Sequence, residues 1–168
     1  MSLSMYQESI PALIRNLENL SIVLKKAEAH ALAKKIAPDV FINARLAPDM
    51  YPLSRQVQIT VDVSKGGVAR LAGIEIPVFE DTEKTFEELQ ARIAKTIKFI
   101  NSVSAAQIDG SEEHKIVLKV GGKELSFVGH SYLFTFILPN IYFHTSIAYA
   151  ILRHHGVELG KMDFLGSF

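Results

Sequence analysis

The chain has 168 residues, 48% of them hydrophobic, with 18 basic against 18 acidic side chains and neither cysteine nor tryptophan. A chain of this length is one domain with room for a real core, and its balanced charge leaves no basic footprint for nucleic acid and no polybasic patch for a membrane surface. Without cysteine there is no disulfide, no thiol nucleophile and no cysteine-bound metal, and the opening M-S-L-S-M-Y-Q-E-S-I-P has no basic, signal-like start, so residues 1–168 read as one cytoplasmic domain.

Ser4 or Ser9 can cap a first helix, with Pro11 suited to its first turn in the second case. Ile10, Leu13, Ile14, Leu17, Leu20, Val23 or Leu24, and Ala27 recur at three and four, so one face is buried. The helix can continue to Ile36 with His30, Lys34 and Lys35 outside. Pro38 to Pro52 mixes Phe41, Ile42, Leu46, Met50 and Tyr51 with Asn43, Arg45 and Asp49. That composition predicts a connection packed on the other helices, with room for a short helical turn, and packed loops carrying charge are frequent ligand contacts.

Pro52 opens a second long helix that Gly73 ends. Leu53, Val57, Thr60 or Val61, Ser64, Val68 and Leu71 form its inner stripe, with Gln56 beside it. The run Ser64-Lys65-Gly66-Gly67 weakens helix propensity, which predicts either a kink or a close approach by another backbone. Asp81 or Thr82 is placed to cap a third helix, whose inner face is Phe86, Leu89, Ile93, Thr96 or Ile97, and Ile100. Ser104 to Gln107 reads as a capping box opening one helical turn.

From 115 to 127 the period changes to two, and Gly121-Gly122 closes a small hairpin with Ile116, Leu118, Leu125 and Phe127 partly covered. Ser131 to His155 is almost wholly apolar, broken by uncharged Thr135, Asn140, His144, Thr145 and Ser146. The run is about as long as a bilayer span, for which ~20 residues are needed. Pro139-Asn140, the mid-run His144 and the absence of a second span favour a buried core helix, surrounded by its neighbours. Pro139 belongs in the first turn of the main helix, after a short preceding one, and Gly156 stops it. Met162, Phe164 and Leu165 predict a docked tail. Four helices, a long second connection and a hairpin before the last helix make an all-α four-helix bundle.

No H-E-x-x-H, phosphate-cradling loop or G-x-S-x-G is present. His144 stands out instead. Its helical neighbour at i−4 is Asn140, and no second metal ligand stands at i+3 or i+4. If the second and last helices are neighbours, Arg45, Asp49, Gln56, Asn140 and His144 could converge as a ligand-binding pocket, with His144 as a general acid or base. Internal pairing of the same five residues is the structural alternative.

The stretches N-A-R-L-A-P-D-M-Y-P-L, L-A-G-I-E-I-P-V-F-E-D-T and L-P-N-I-Y-F-H-T-S-I-A-Y-A-I-L-R-H-H-G, with the opening M-S-L-S-M-Y, resemble an uncharacterised bacterial family among the DinB/YfiT-like metalloenzyme bundles. The resemblance covers essentially the whole chain. It implies an up-down-down-up four-helix bundle, commonly a homodimer. It also implies one histidine on the second helix and an H-x-x-x-H pair on the last. Gln56 stands near the first of these positions, and Ala148 follows His144 where the pair would close. The expectation is therefore a metal-free, cofactor-free bundle that binds or acts on a small molecule. The alternatives are a DinB-like hydrolase or transferase using a divalent metal such as zinc or nickel, and a non-catalytic dimeric interaction protein.

Overall fold

A computed structural model describes residues 3–167; Met1 and Ser2, which open the motif M-S-L-S-M-Y, and Phe168 lie outside the described residues. The first helix, α1 (Met5–Lys34), starts at Ser4, not Ser9. Ser4 and Gln7 cap each other reciprocally, satisfying two amides that the first turn leaves open. Pro11 consequently lies inside the helix. Half-buried His30 meets Phe41 edge-on at 6.0 Å, so it is less exposed than the sequence suggested. The short α2 (Pro38–Ile42) is the helical turn of the connection, with Phe41 and Ile42 in the core.

Helix α3 (Leu53–Leu71) is buried around most of its circumference. Thr60 and Ser64 donate to the carbonyls of Gln56 and Thr60 at 2.9 and 2.7 Å, so their hydroxyls sit in the core without orphaned groups. Gly67 serves a close approach by a side chain and not by a backbone. A Cβ there would lie 2.7 Å from Cδ1 of Ile137.

Helix α4 (Phe86–Asn101) begins at Thr85, four and three residues later than the Asp81 or Thr82 caps expected. Thr85 and Glu88 form a reciprocal capping box, with bonds of 3.1 and 3.0 Å. Asp81 is engaged elsewhere, in ion pairs with Arg55 and Arg92. The capping box at Ser104 opens α5 (Ala105–Ile108) as expected.

Strands β1 (Lys115–Val120) and β2 (Lys123–Val128) pair antiparallel, with Val120 opposite Lys123 across Gly121-Gly122. Both glycines have positive φ, as a two-residue turn matched to strand twist requires. Ile116 and Leu118 are buried and Leu125 and Phe127 half-buried, so one face of the hairpin lies on the bundle.

The last helix is continuous from Gly129 to His154. It comprises α6 (Gly129–Tyr132), a π-wound turn over Leu133–Ile137, and α7 (Leu138–His154). Pro139 stands in the first turn of α7, and the wider π winding just before it accommodates a residue with no amide hydrogen. Only about 33% of the most apolar 18-residue window of this helix is buried. Phe134, Tyr142 and Phe143 are exposed, so the helix occupies a corner of the bundle and is not enclosed on all sides. By length and composition alone it could cross a membrane. The tail forms α8 (Lys161–Leu165), docked on α1 through Arg15, Asn19 and Lys26.

Cross-helix contacts give the directions. Asn16 meets Thr145, and His30 and His155 both pack on Phe41, so α1 and α7 run parallel. Tyr6 meets Asp109 just beyond α4 while Ser21 meets Gln90, so α1 and α4 are antiparallel. Gly67 meets Ile137 and Gln56 meets His144, so α3 and α7 are antiparallel. The result is an up-down-down-up bundle in the order α1, α4, α3, α7 around the core.

Candidate functional site

Helix α3 presents two polar seams, one to α7 and one to α4. On the α7 side, Gln56 is one turn inside α3 and almost fully buried, and His144 is at the middle of α7 and half-buried. The His144 Nδ1 and Gln56 Oε1 atoms are 2.7 Å apart. The Gln56 amide nitrogen donates to the Tyr51 carbonyl at 3.0 Å, which fixes the amide and leaves Oε1 as an acceptor only. Nδ1 must therefore carry the ring proton and donate it to Gln56. In the neutral ring Nε2 is then an unprotonated acceptor, and it has no partner among the described residues.

Burial first, and the positive charge of Arg55 second, hold the His144 pKa below its ordinary 6.5. The ring is thus kept neutral near pH 7. Phe143 stands edge-on to it at 5.1 Å.

The other three residues expected at this pocket are placed differently. Arg45 is exposed and donates to the Met50 carbonyl, closing its own loop, and Asp49 is exposed on that loop. Asn140 donates to the Phe136 carbonyl at 2.7 Å, one turn back in the same helix, beside the π turn. Of the five, the structure brings Gln56 and His144 into direct contact.

The α4 seam was not anticipated. The Arg92 side chain is 2% exposed and meets Asp62 at 2.9 Å, Asp81 at 2.8 Å and Glu83 at 2.8 Å. It also donates to the Glu80 carbonyl at 2.9 Å, and its buried Nε has no partner among the described residues. Burial opposes its charge, but the Glu83 hydrogen bond and the charges of Asp62, Glu83 and Asp81 outweigh that, so its pKa moves up. Gln58 binds the second Glu83 oxygen at 2.9 Å, and Lys65 binds Asp62 at 3.1 Å. This network pins the α3–α4 connector to both helices. A signal was available: Arg92 stands three residues after Leu89 and four before Thr96, on the inner face of its helix, with Glu80, Asp81 and Glu83 just upstream.

The bundle order and the polar pair between its second and last long helices define the class: this is a DinB-like four-helix bundle. The crystal structure of a DinB family member protein from Shewanella denitrificans is similar to it, with a TM-score of 0.87 and 40% identity over 97% of this chain and 92% of that one. The chain belongs to the family of the Domain of unknown function (DUF1993), whose model matches residues 5–165. No curated protein matches it.

The resemblance to metalloenzyme bundles raises the fit of a metal. Gln56 replaces one expected histidine and engages His144 itself, while Ala148, fully buried, replaces another. Among the described residues no three His, Cys, Asp or Glu side chains are grouped to hold an ion. This donor set does not fit a three-histidine centre.

Proposed function

We propose that the α3–α7 seam is a metal-free small-molecule site in which His144 Nε2 accepts a hydrogen bond or a proton from the bound molecule. One observation carries this reading: the chain Tyr51 carbonyl, Gln56 amide, His144 ring, which fixes the tautomer and leaves Nε2 without a partner among the described residues. A base needs a positioned lone pair on a ring that is neutral at working pH, and the lowered pKa supplies the second condition. Arg45 and Asp49, on the loop that ends at Tyr51, and Asn140, one turn before His144, are the candidates for outer contacts with such a molecule. The protein works in the cytoplasm, free of membrane and nucleic acid, as a homodimer. The exposed Phe134 and Phe143 on the last helix support the dimer, since exposed aromatic faces favour a partner.

The test is a thermal-shift screen of small metabolites on wild type and His144→Gln, with elemental analysis of untagged protein. The reading expects a compound that raises Tm in wild type and loses that effect in the variant, on protein free of stoichiometric metal. Compounds that stabilise both proteins equally, or bound metal lost on substitution of His144, would overturn it. Sedimentation equilibrium at micromolar concentration tests the dimer, and a monomer there contradicts it.

A further inference from the structure

A cleft lies between α1, α7 and the docked tail, on the side of α7 away from α3. It holds about 330 Å3 and is lined by Ala12, Arg15, Asn16, Asn19, Tyr142, Phe164 and Leu165. Asn16 is 5% exposed, and its Oδ1 accepts from the buried Thr145 hydroxyl at 2.9 Å. That bond orients the amide and leaves its nitrogen, which has no partner among the described residues, to the cleft. Asn19, one turn along, donates to the Phe164 carbonyl at 2.9 Å, and its Oδ1 has no hydrogen-bond partner among the described residues. One open donor and one open acceptor thus stand a helical turn apart on the same face.

The wall opposite is already built. Arg15 donates to the Leu165 carbonyl at 3.0 and 2.9 Å and to Ser167 at 2.9 Å. Lys26 pairs with Asp163 at 2.6 Å, and Tyr149 meets Phe164 edge-on at 6.3 Å. The ionic groups around the cleft are therefore engaged in holding the tail. Besides Arg15, the interior holds two amides, a phenol and apolar surface, and a carboxylate there would set an acceptor against Asn19 Oδ1, where a carboxamide sets a donor. Mostly apolar concavities with a few convergent polar groups are where small molecules bind.

We propose that this cleft binds a small, neutral, flat molecule carrying an acceptor and a donor on one edge, as a carboxamide or lactam does. The acceptor takes the Asn16 amide hydrogen, the donor reaches Asn19 Oδ1, and the body of the molecule lies against Tyr142, Phe164 and Leu165. The site is separate from the His144 seam and does not depend on it.

Benzamide and its charged isostere benzoate are the probes, titrated into the full chain with 1H–15N NMR as the readout. Benzamide should shift the side-chain amide resonances of Asn16 and Asn19, with benzoate roughly tenfold weaker or more, a difference of about 1.4 kcal/mol. Tyr142→Ala, at a side chain exposed enough to keep the fold, should weaken benzamide several-fold. Unmoved Asn16 and Asn19 resonances up to the solubility limit of benzamide would overturn the proposal. So would equal binding of benzoate, an unchanged affinity in Tyr142→Ala, or shifts centred on His144.

Discussion

The two seams of α3 use buried polar groups in opposite ways. Toward α4, Arg92 is surrounded by three carboxylates and a carbonyl, and each of these acidic partners has a further tie or its own place on the connector. These ties fasten the connector to the bundle, although Arg92 and Glu83 also line a cleft of about 400 Å3 and Arg92 Nε has no partner among the described residues. Toward α7, the Gln56–His144 pair leaves the second imidazole nitrogen without a partner among the described residues. Charges that neutralise one another across two helices serve structure, whereas a fixed neutral ring with a lone pair left over is a candidate for chemistry.

The largest effect should come from breaking the charged seam. Arg92→Met leaves Asp62, Asp81 and Glu83 facing one another without their common cation. Because Asp62 and Asp81 are each over one-third exposed, the loss should be near the lower end for buried pairs, about 3 kcal/mol. For a chain of this size that corresponds to roughly 10 °C in Tm by calorimetry. A change within 2 °C would show that the network contributes little.

On the α7 seam, Gly67→Ala places a methyl 2.7 Å from Ile137 Cδ1; overpacking of about 2 kcal/mol, less about 1 kcal/mol of gained helix propensity, should leave a net loss of about 1 kcal/mol in urea unfolding. A neutral or stabilising result would mean that the two helices separate at no cost there. Gln56→Leu removes the acceptor of His144 and the donor to Tyr51 together. It should cost about 1–2 kcal/mol and release the ring tautomer, read by imidazole 15N shifts.

The smallest effect is on pH dependence. A histidine with a pKa lowered by folding binds protons more readily in the unfolded chain. Its contribution to stability is whole above about pH 6.5 and is lost as pH falls through the lowered folded value. The difference in unfolding free energy between wild type and His144→Gln should therefore be flat above pH 7 and shrink toward pH 5. A difference that grows on acidification would contradict the assigned shift.

The elements legible in the sequence were those governed by local rules. Apolar spacing gave the long helices, two glycines with positive φ gave the hairpin, and Ser104 to Gln107 gave the short turn. The resemblance, together with helical spacing, brought Gln56 and His144 to one seam. Where two local rules competed, the sequence did not decide between them. Asp81 is a good cap by type, but Thr85 has a reciprocal partner in Glu88, and Asp81 is drawn to Arg55 and Arg92 across the bundle. Asn140 shares a face with His144 yet turns back to the Phe136 carbonyl beside the π turn, a local winding that periodicity does not encode. Arg45 likewise closes its own loop.

The central claim is that Gln56 holds His144 neutral and protonated at Nδ1, with Nε2 open. Its most direct measurement is a pH titration of the His144 ring by 1H–15N NMR, in wild type and Gln56→Glu. The account predicts a neutral ring protonated at Nδ1 with a pKa below 6.5 in wild type, and a pKa raised by the adjacent carboxylate in the variant. A proton on Nε2, or a wild-type pKa above 6.5, would contradict it.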